Sequence, residues 1–277
     1  MSIVICIKVG EGLVLAADSV TTIQAVSPEG EVGGILNTYE YARKLSHIGD
    51  LPIGALTWGA GLIGNRNIES LLSEYEDRML RPKYYEETQE GTKKIKPYKL
   101  EKIVEEIFNF MKERYNQAYG STPEQPKPLI GMLVAGYSHN EFFPEEYRFV
   151  FPSSEAPERI RPDKDGKPVY GAAWHGQTDA ILRLYKGYDP QLRQILIKKG
   201  IDNKIIEELP NDLVKLEWSI IYDGMPLQDA IDLAEYLIKV VIGRFRFLPG
   251  APTCGGNIDI AVITHKGFIW VRRKDWK

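Results

Sequence analysis

The chain has 277 residues, 43% apolar and 26% charged, the balance of an ordinary globular protein, and a formal charge of −3 at pH 7. That charge leaves no basic excess to neutralise phosphates, which argues against nucleic acid as a partner. No apolar run reaches the roughly 18 residues of a membrane span, and the N-terminus lacks the pattern of a secretory signal, so a cytoplasmic protein without a membrane partner is expected.

Two cysteines, Cys6 and Cys254, are too few for a disulfide framework and fit a reducing compartment. The four histidines, His47, His139, His175 and His265, are scattered with no zinc-like spacing. No structural metal and no cofactor are expected.

Residues 2–9 alternate aliphatics as a strand, with Lys8 the one charge. Gly10-Glu11-Gly12 is turn chemistry and Leu13 to Ala17 reads as the returning strand. Such a hairpin brings Asp18 back beside Ser2, within one pair of residues in register. The glycine-rich stretch 21–40 reads as a long loop or ribbon, and Ile53 to Trp58 as a buried strand ending in Gly59-Ala60-Gly61. Asn65 or Asn67 then caps a helix running to about Leu80, with Ile68, Leu71, Leu72 and Tyr75 at helical spacing. Polar 81–97, with Pro82 and Pro97, reads as an exposed insertion.

Leu100, Ile103, Val104, Ile107, Phe108 and Met111 make one apolar face of a second helix. Strands are expected at 129–138, 147–151 and 169–176, with a turn at Asp165-Gly166. Helical patterns follow around 177–187, 190–199 and 226–246, and "NIDIAVIT" with "GFIWVRR" makes a closing hairpin. Strand pairs, helices, strand pairs and helices in blocks indicate an α+β protein rather than alternating βαβ units.

Four segments carry a resemblance: "SIVICIKVGEGLVLAADS", "ARKLSHIGD", "WGAGLIGN" and "CGGNIDIAVIT". In that order they resemble the β-type subunits of the 20S proteasome family, including its bacterial relatives. The likeness covers both ends of the chain, with insertions around 81–125 and 185–215 into a single hydrolase domain over 1–277. It implies a four-layer αββα sandwich of the N-terminal nucleophile hydrolase type. It further implies Ser2 as nucleophile once Met1 is removed, Asp18 and Lys44 flanking it, and a glycine-containing turn beside it. The implied substrate is a peptide or unfolded protein. The implied assembly is a homo-oligomer, as a ring or built from dimers, and a regulatory ATPase is left open.

A serine hydroxyl needs a base to take its proton, and a free α-amino group, with a reference pKa of about 7.7–8.0, can serve its own residue. With Met1 attached, the Ser2 nitrogen is an amide and that chemistry is closed. Lys44 as a nearby cation favours the neutral amine and the alkoxide, and Asp18 orients and balances Lys44. Gly61 would offer its backbone N–H to the developing oxyanion, with Gly59 the alternative because the register through "GAG" is open by two residues. Taken singly, these residues have plain readings: a serine after Met, a turn aspartate, a solvated lysine and turn glycines.

The sequence departs from the family pattern at several places. Threonine is the usual nucleophile, and Val20 stands where arginine is common. No acid precedes the glycine pair in "LPGAPTCGG", where Cys254 replaces a serine, and His175 in "WHGQTD" replaces another. The resemblance puts Cys254 and His175 near Ser2. Cys254 reads as a small buried residue in preference to a reactive thiol. His175 is either a satisfied loop imidazole or a partner to the Ser2 amine, titrating near 6.5. Three functions follow in order: a proteasome-type peptidase, an amidase on a small-molecule amide, and a non-catalytic structural subunit. The last is disfavoured because the N-terminal extension helix of such subunits is not seen.

Overall fold

The computed structural model of the protein describes residues 2–26, 32–87, 93–120, 127–250 and 252–274. Strands β1 (Ile3–Val9) and β2 (Gly12–Ala17) make the opening hairpin, with Val4 opposite Ala17 and Val9 opposite Gly12. Every residue of both strands is buried, because alternate side chains enter two different cores. β3 (Thr21–Val26) and β4 (Val32–Tyr39) form a separate ribbon, one of the two forms expected for that stretch. β5 (Leu45–His47) and β6 (Ile53–Gly59) follow.

A short pair, β7 (Leu62–Ile63) and β8 (Arg66–Asn67), leads into helix α1 (Ile68–Tyr75). Asn67 is the cap, its side chain accepting the Ser70 N–H at 2.7 Å. The helix continues through a π turn, Glu76–Leu80, into α2 (Arg81–Tyr84), where Pro82 sits in the first turn and is tolerated. Most described residues of 81–97 are exposed or half-buried, and Tyr84 is the one among them that is buried. Tyr84 and its edge-on neighbour Tyr98 are buried in the core, and between them lies the ribbon of β9 (Tyr85–Glu87) and β10 (Lys93–Ile95). Its polar residues are the solvent side of a segment whose aromatics point inward.

Helix α3 (Leu100–Tyr119) buries the apolar face expected of it. β11 (Ile130–Gly136), β12 (Glu145–Phe151), β13 (Glu158–Arg159) and β14 (Gly171–Gly176) precede α4 (Asp179–Lys186), α5 (Leu192–Lys198) and α6 (Asn203–Leu213). Helix α6 was not foreseen, since it holds Pro210 within it and buries Ile206 alone. The long α7 (Leu227–Arg246) and the hairpin β15 (Asp259–Thr264) and β16 (Gly267–Arg272) complete the chain.

The fold mixes helices with two five-stranded antiparallel sheets, ordered β14-β1-β2-β15-β16 and β13-β12-β11-β6-β5. Val4, Cys6, Leu13, Leu15 and Ala17 of the first sheet meet Leu56, Trp58, Leu133 and Ala135 of the second in one core. The opposite side chains of β1 and β2, with Ile3, Ile5, Ile7 and Val14, pack on Ala230, Ala234, Leu237 and Val241 of α7. The other face of the second sheet, with Ile53, Ala55, Met132 and Val134, packs on α1 and α3. Burying one such aliphatic side chain contributes about 1.5–3 kcal/mol. One polar island lies among these buried residues: Lys8 and Glu146 are each 1% exposed, and Arg161 and the Cys6 thiol both bond Glu146. Burial pulls the Lys8 pKa down and the Glu146 charge pulls it back up.

Candidate active site

Asp18 is the first residue beyond β2, and its N–H continues the hairpin ladder onto the Ile3 carbonyl at 3.2 Å. Ile3 therefore stands opposite Asp18, within the one-pair latitude of the sequence reading. The Asp18 carboxylate is fully buried and takes four donors. Its Oδ1 accepts the Ile3 N–H at 2.9 Å and the Lys44 ammonium at 2.7 Å. Its Oδ2 accepts the Gly255 N–H at 3.1 Å and the Val20 N–H at 3.4 Å. Backbone amides drawn from both ends of the chain thus solvate the acid in place of water.

Lys44 is 6% exposed, and its Nζ also donates to the Val20 carbonyl. The segment that delivers it is held by its backbone: the Ala42 N–H donates to the Ser19 carbonyl at 2.9 Å, and the Lys44 carbonyl accepts the Thr57 N–H at 2.8 Å. Arg43, between them, turns out to pair with Glu69 on α1. An ammonium this buried needs its carboxylate, since losing one partner leaves an uncompensated charge at a cost of about 3–5 kcal/mol.

Ser2 is 4% exposed and extends the β1 ladder by one residue, its carbonyl accepting the Gln177 N–H at 2.7 Å. By the alternation of β1 it shares its face with Val4 and Cys6. Gly176 lies opposite Ile3, and a Cβ there would fall 1.9 Å from the Ser2 carbonyl oxygen, at a φ of +98° that favours glycine. The sequence reading noted that glycine only as a neighbour of His175.

The two turn glycines separate into different roles. Gly59 has φ +87° and lies so close to the Leu129 carbonyl that a side chain would collide with it, which accounts for a glycine there on structural grounds. Gly61 is exposed, its carbonyl accepts the Ile68 N–H at 3.3 Å, and its own N–H meets no acceptor among the described residues. A side chain at Gly61 would point toward Thr21, next in the chain to Val20.

Cys254 is 1% exposed beside this cluster, and its thiol is pushed up to about 12 by burial and by the Asp18 charge, with Lys44 opposing. It is a protonated, buried thiol at pH 7. His175, opposite Val4, stacks on Trp58 with ring centroids 4.2 Å apart, and its buried Nε2 has no partner among the described residues. Burial, then Arg148 and Arg161, push its pKa down to about 4, so it does not titrate near 6.5. The described residues show no bond between this ring and Ser2.

A second buried pair was missed. Lys274, just past β16, bonds Asp259 at the head of β15, with Nζ 3.2 Å from Oδ2. The closing hairpin brings the two together, but a lysine past its last strand reads as a solvated charge. No group of three or more His, Cys, Asp or Glu side chains among the described residues could hold a metal ion. No helix among the described residues is long and apolar enough to cross a membrane.

No protein-family model matches the chain, and no curated protein matches it. Among solved structures the chain is similar to the Anbu (Gly-1) mutant from Hyphomicrobium sp. strain MC1, with 14% identity and a TM-score of 0.56. The match covers 99% of this chain and 86% of that one. The likeness is one of fold, a proteasome-like arrangement of helices and sheets.

Proposed function

We propose that the protein is a proteasome-related N-terminal nucleophile hydrolase, a single αββα domain that cleaves peptide bonds through Ser2 after removal of Met1. The observation that carries this reading is the shared Asp18 Oδ1, which takes both the N–H of the residue after Ser2 and the Lys44 ammonium. One carboxylate oxygen thereby ties the start of the chain to a buried cation.

In the proposed reaction the Ser2 hydroxyl attacks the substrate carbonyl while its proton passes to the Ser2 amine, directly or through a water. The Gly61 N–H, free of any described acceptor, would donate to the oxyanion. The C–N bond then breaks, the amine proton goes to the leaving nitrogen, and a Ser2 ester remains. Water adds to that ester by the reverse route and releases the acid. Lys44 favours the neutral amine and the alkoxide, and Asp18 aims Lys44. The reading includes a homo-oligomer. Exposed Ile195, Ile197, Ile205, Leu216, Ile221 and Phe247 on and near the helices after β14 support an apolar contact surface.

The test is intact-mass analysis of the protein treated with a peptidyl β-lactone, alongside peptide cleavage assays. One adduct on a Ser2-initiated chain is expected, absent from Ser2→Ala and at least ~100-fold slower in Lys44→Met. Retained Met1 in a preparation that still cleaves peptides would overturn the amine-base mechanism. Hydrolysis of small amides with peptides left intact would select an amidase instead. A monomer at every concentration would remove the assembly from the reading.

A further inference from the structure

Beside the Asp18–Lys44 pair lies a buried lysine that the proposed reaction does not use. Lys274 is 8% exposed and Asp259 2%. Asp259 opens β15 directly opposite Ala17, the residue before Asp18. It accepts the Lys274 backbone N–H at 3.0 Å on Oδ1, and the Lys274 ammonium lies 3.2 Å from Oδ2. The same ammonium donates to the Ala42 carbonyl. Ala42 in turn gives its N–H to the Ser19 carbonyl at 2.9 Å. The irregular run that ends in Lys44 is therefore hooked on one side to the residue after Asp18 and on the other to Lys274.

A buried ion pair is weak evidence for stability, since an apolar pair of similar volume often does as well. What this pair supplies is a fixed point for one backbone carbonyl, two residues before Lys44. Burial pulls the Lys274 pKa down, Asp259 pulls it up, and Lys44 and Asp18 act on it in opposite senses. The four charges thus lie close enough to feel one another.

We infer that Lys274 is a positioning residue for Lys44, holding the Ala42 carbonyl so that the Lys44 ammonium meets Asp18 beside Ser2. Its consequence for turnover rests on the Ser2 hydrolase reading, whereas its hold on the 42–44 segment does not.

The test uses the full chain as wild type, Lys274→Met, Lys274→Arg and the double variant Asp259→Asn with Lys274→Met. Three quantities are read: melting temperature, amide hydrogen exchange across residues 42–45, and the saturation kinetics of Ser2 labelling by a peptidyl β-lactone. Lys274→Met lowers the melting temperature because Asp259 is left buried without its cation, and the double variant recovers most of that loss. In both, exchange across 42–45 rises about tenfold or more. The maximal labelling rate falls about tenfold with unchanged half-saturation, within the range that a small misplacement produces. Lys274→Arg, which keeps a cationic donor, restores both in part.

A double variant whose exchange across 42–45 stays at the wild-type rate overturns the inference. So does a stable double variant that labels at the wild-type rate, because Lys274 is then structural only. Raised exchange together with a wild type that never labels upholds the hold on the segment and overturns the hydrolase reading instead.

Discussion

His175 offers a direct measurement of how dry the edge of the candidate site is. Its ring lies against Trp58 with an unpartnered Nε2, and its pKa in the folded protein is about 4 against an ordinary 6.5. The unfolded chain therefore takes up a proton as pH falls through about 6.5, while the folded protein declines it until about 4. The stabilisation from keeping this ring neutral is complete above pH 6.5 and is lost progressively toward pH 4. A depression of this size corresponds to about 3 kcal/mol in full, and to about 2 kcal/mol between pH 7 and pH 5. Residual solvent contact at the ring trims the second figure to between about 1 and 2 kcal/mol. His175→Phe keeps an aromatic face on Trp58 and removes the titrating nitrogen. Urea unfolding of both proteins at pH 7 and pH 5 isolates the contribution, since His47, also lowered by burial, is common to both. Wild type is expected to lose about 1–2 kcal/mol more than the variant over that interval. Equal losses in the two proteins would mean that the ring is hydrated and that the stack on Trp58 does not exclude water.

Two further outcomes are specific to this site. Gly176→Ala, which sets a methyl against the Ser2 carbonyl, is expected to fold with unchanged helix content yet label Ser2 at least ~100-fold more slowly, and wild-type labelling would refute the close approach. Cys254, 1% exposed with its thiol near 12, is expected to resist iodoacetamide at pH 7.5 in the native protein and to react fully in guanidinium chloride. Mass spectrometry reads that difference, and prompt native alkylation would place the thiol outside the cluster.

The hairpin of β1 and β2 was legible because turn residues and an apolar pattern agree there, and its register alone carries Asp18 to Ile3. Lys44 is different. Nothing in a separation of 26 residues says that an ammonium will reach that carboxylate, and only the resemblance to a family put it there. Asp259 lies within one of the resembling segments and the closing hairpin of β15 and β16 sets Lys274 beside it, but nothing local says that a lysine past the last strand will be buried or that β15 lies beside β2. Pro210 hid α6, and the polar residues around Tyr84 hid its insertion into the core. Neither open reading of His175, a satisfied loop imidazole or a partner to the Ser2 amine, anticipates its stack on Trp58, because its burial depends on the opposing sheet, which no local pattern records.

The four donors around Asp18 also bear on the order in which this buried acid acquires its partners during synthesis. They come from positions 3, 20, 44 and 255, and the longest closure spans 237 residues of chain. A ribosome-bound polypeptide not yet extended to Gly255 can have made Ser2, Asp18 and Lys44 and still leave one oxygen of that acid without its Gly255 partner. The full set of donors to that buried acid is then complete only once the segment leading into β15 has joined the hairpin of β1 and β2.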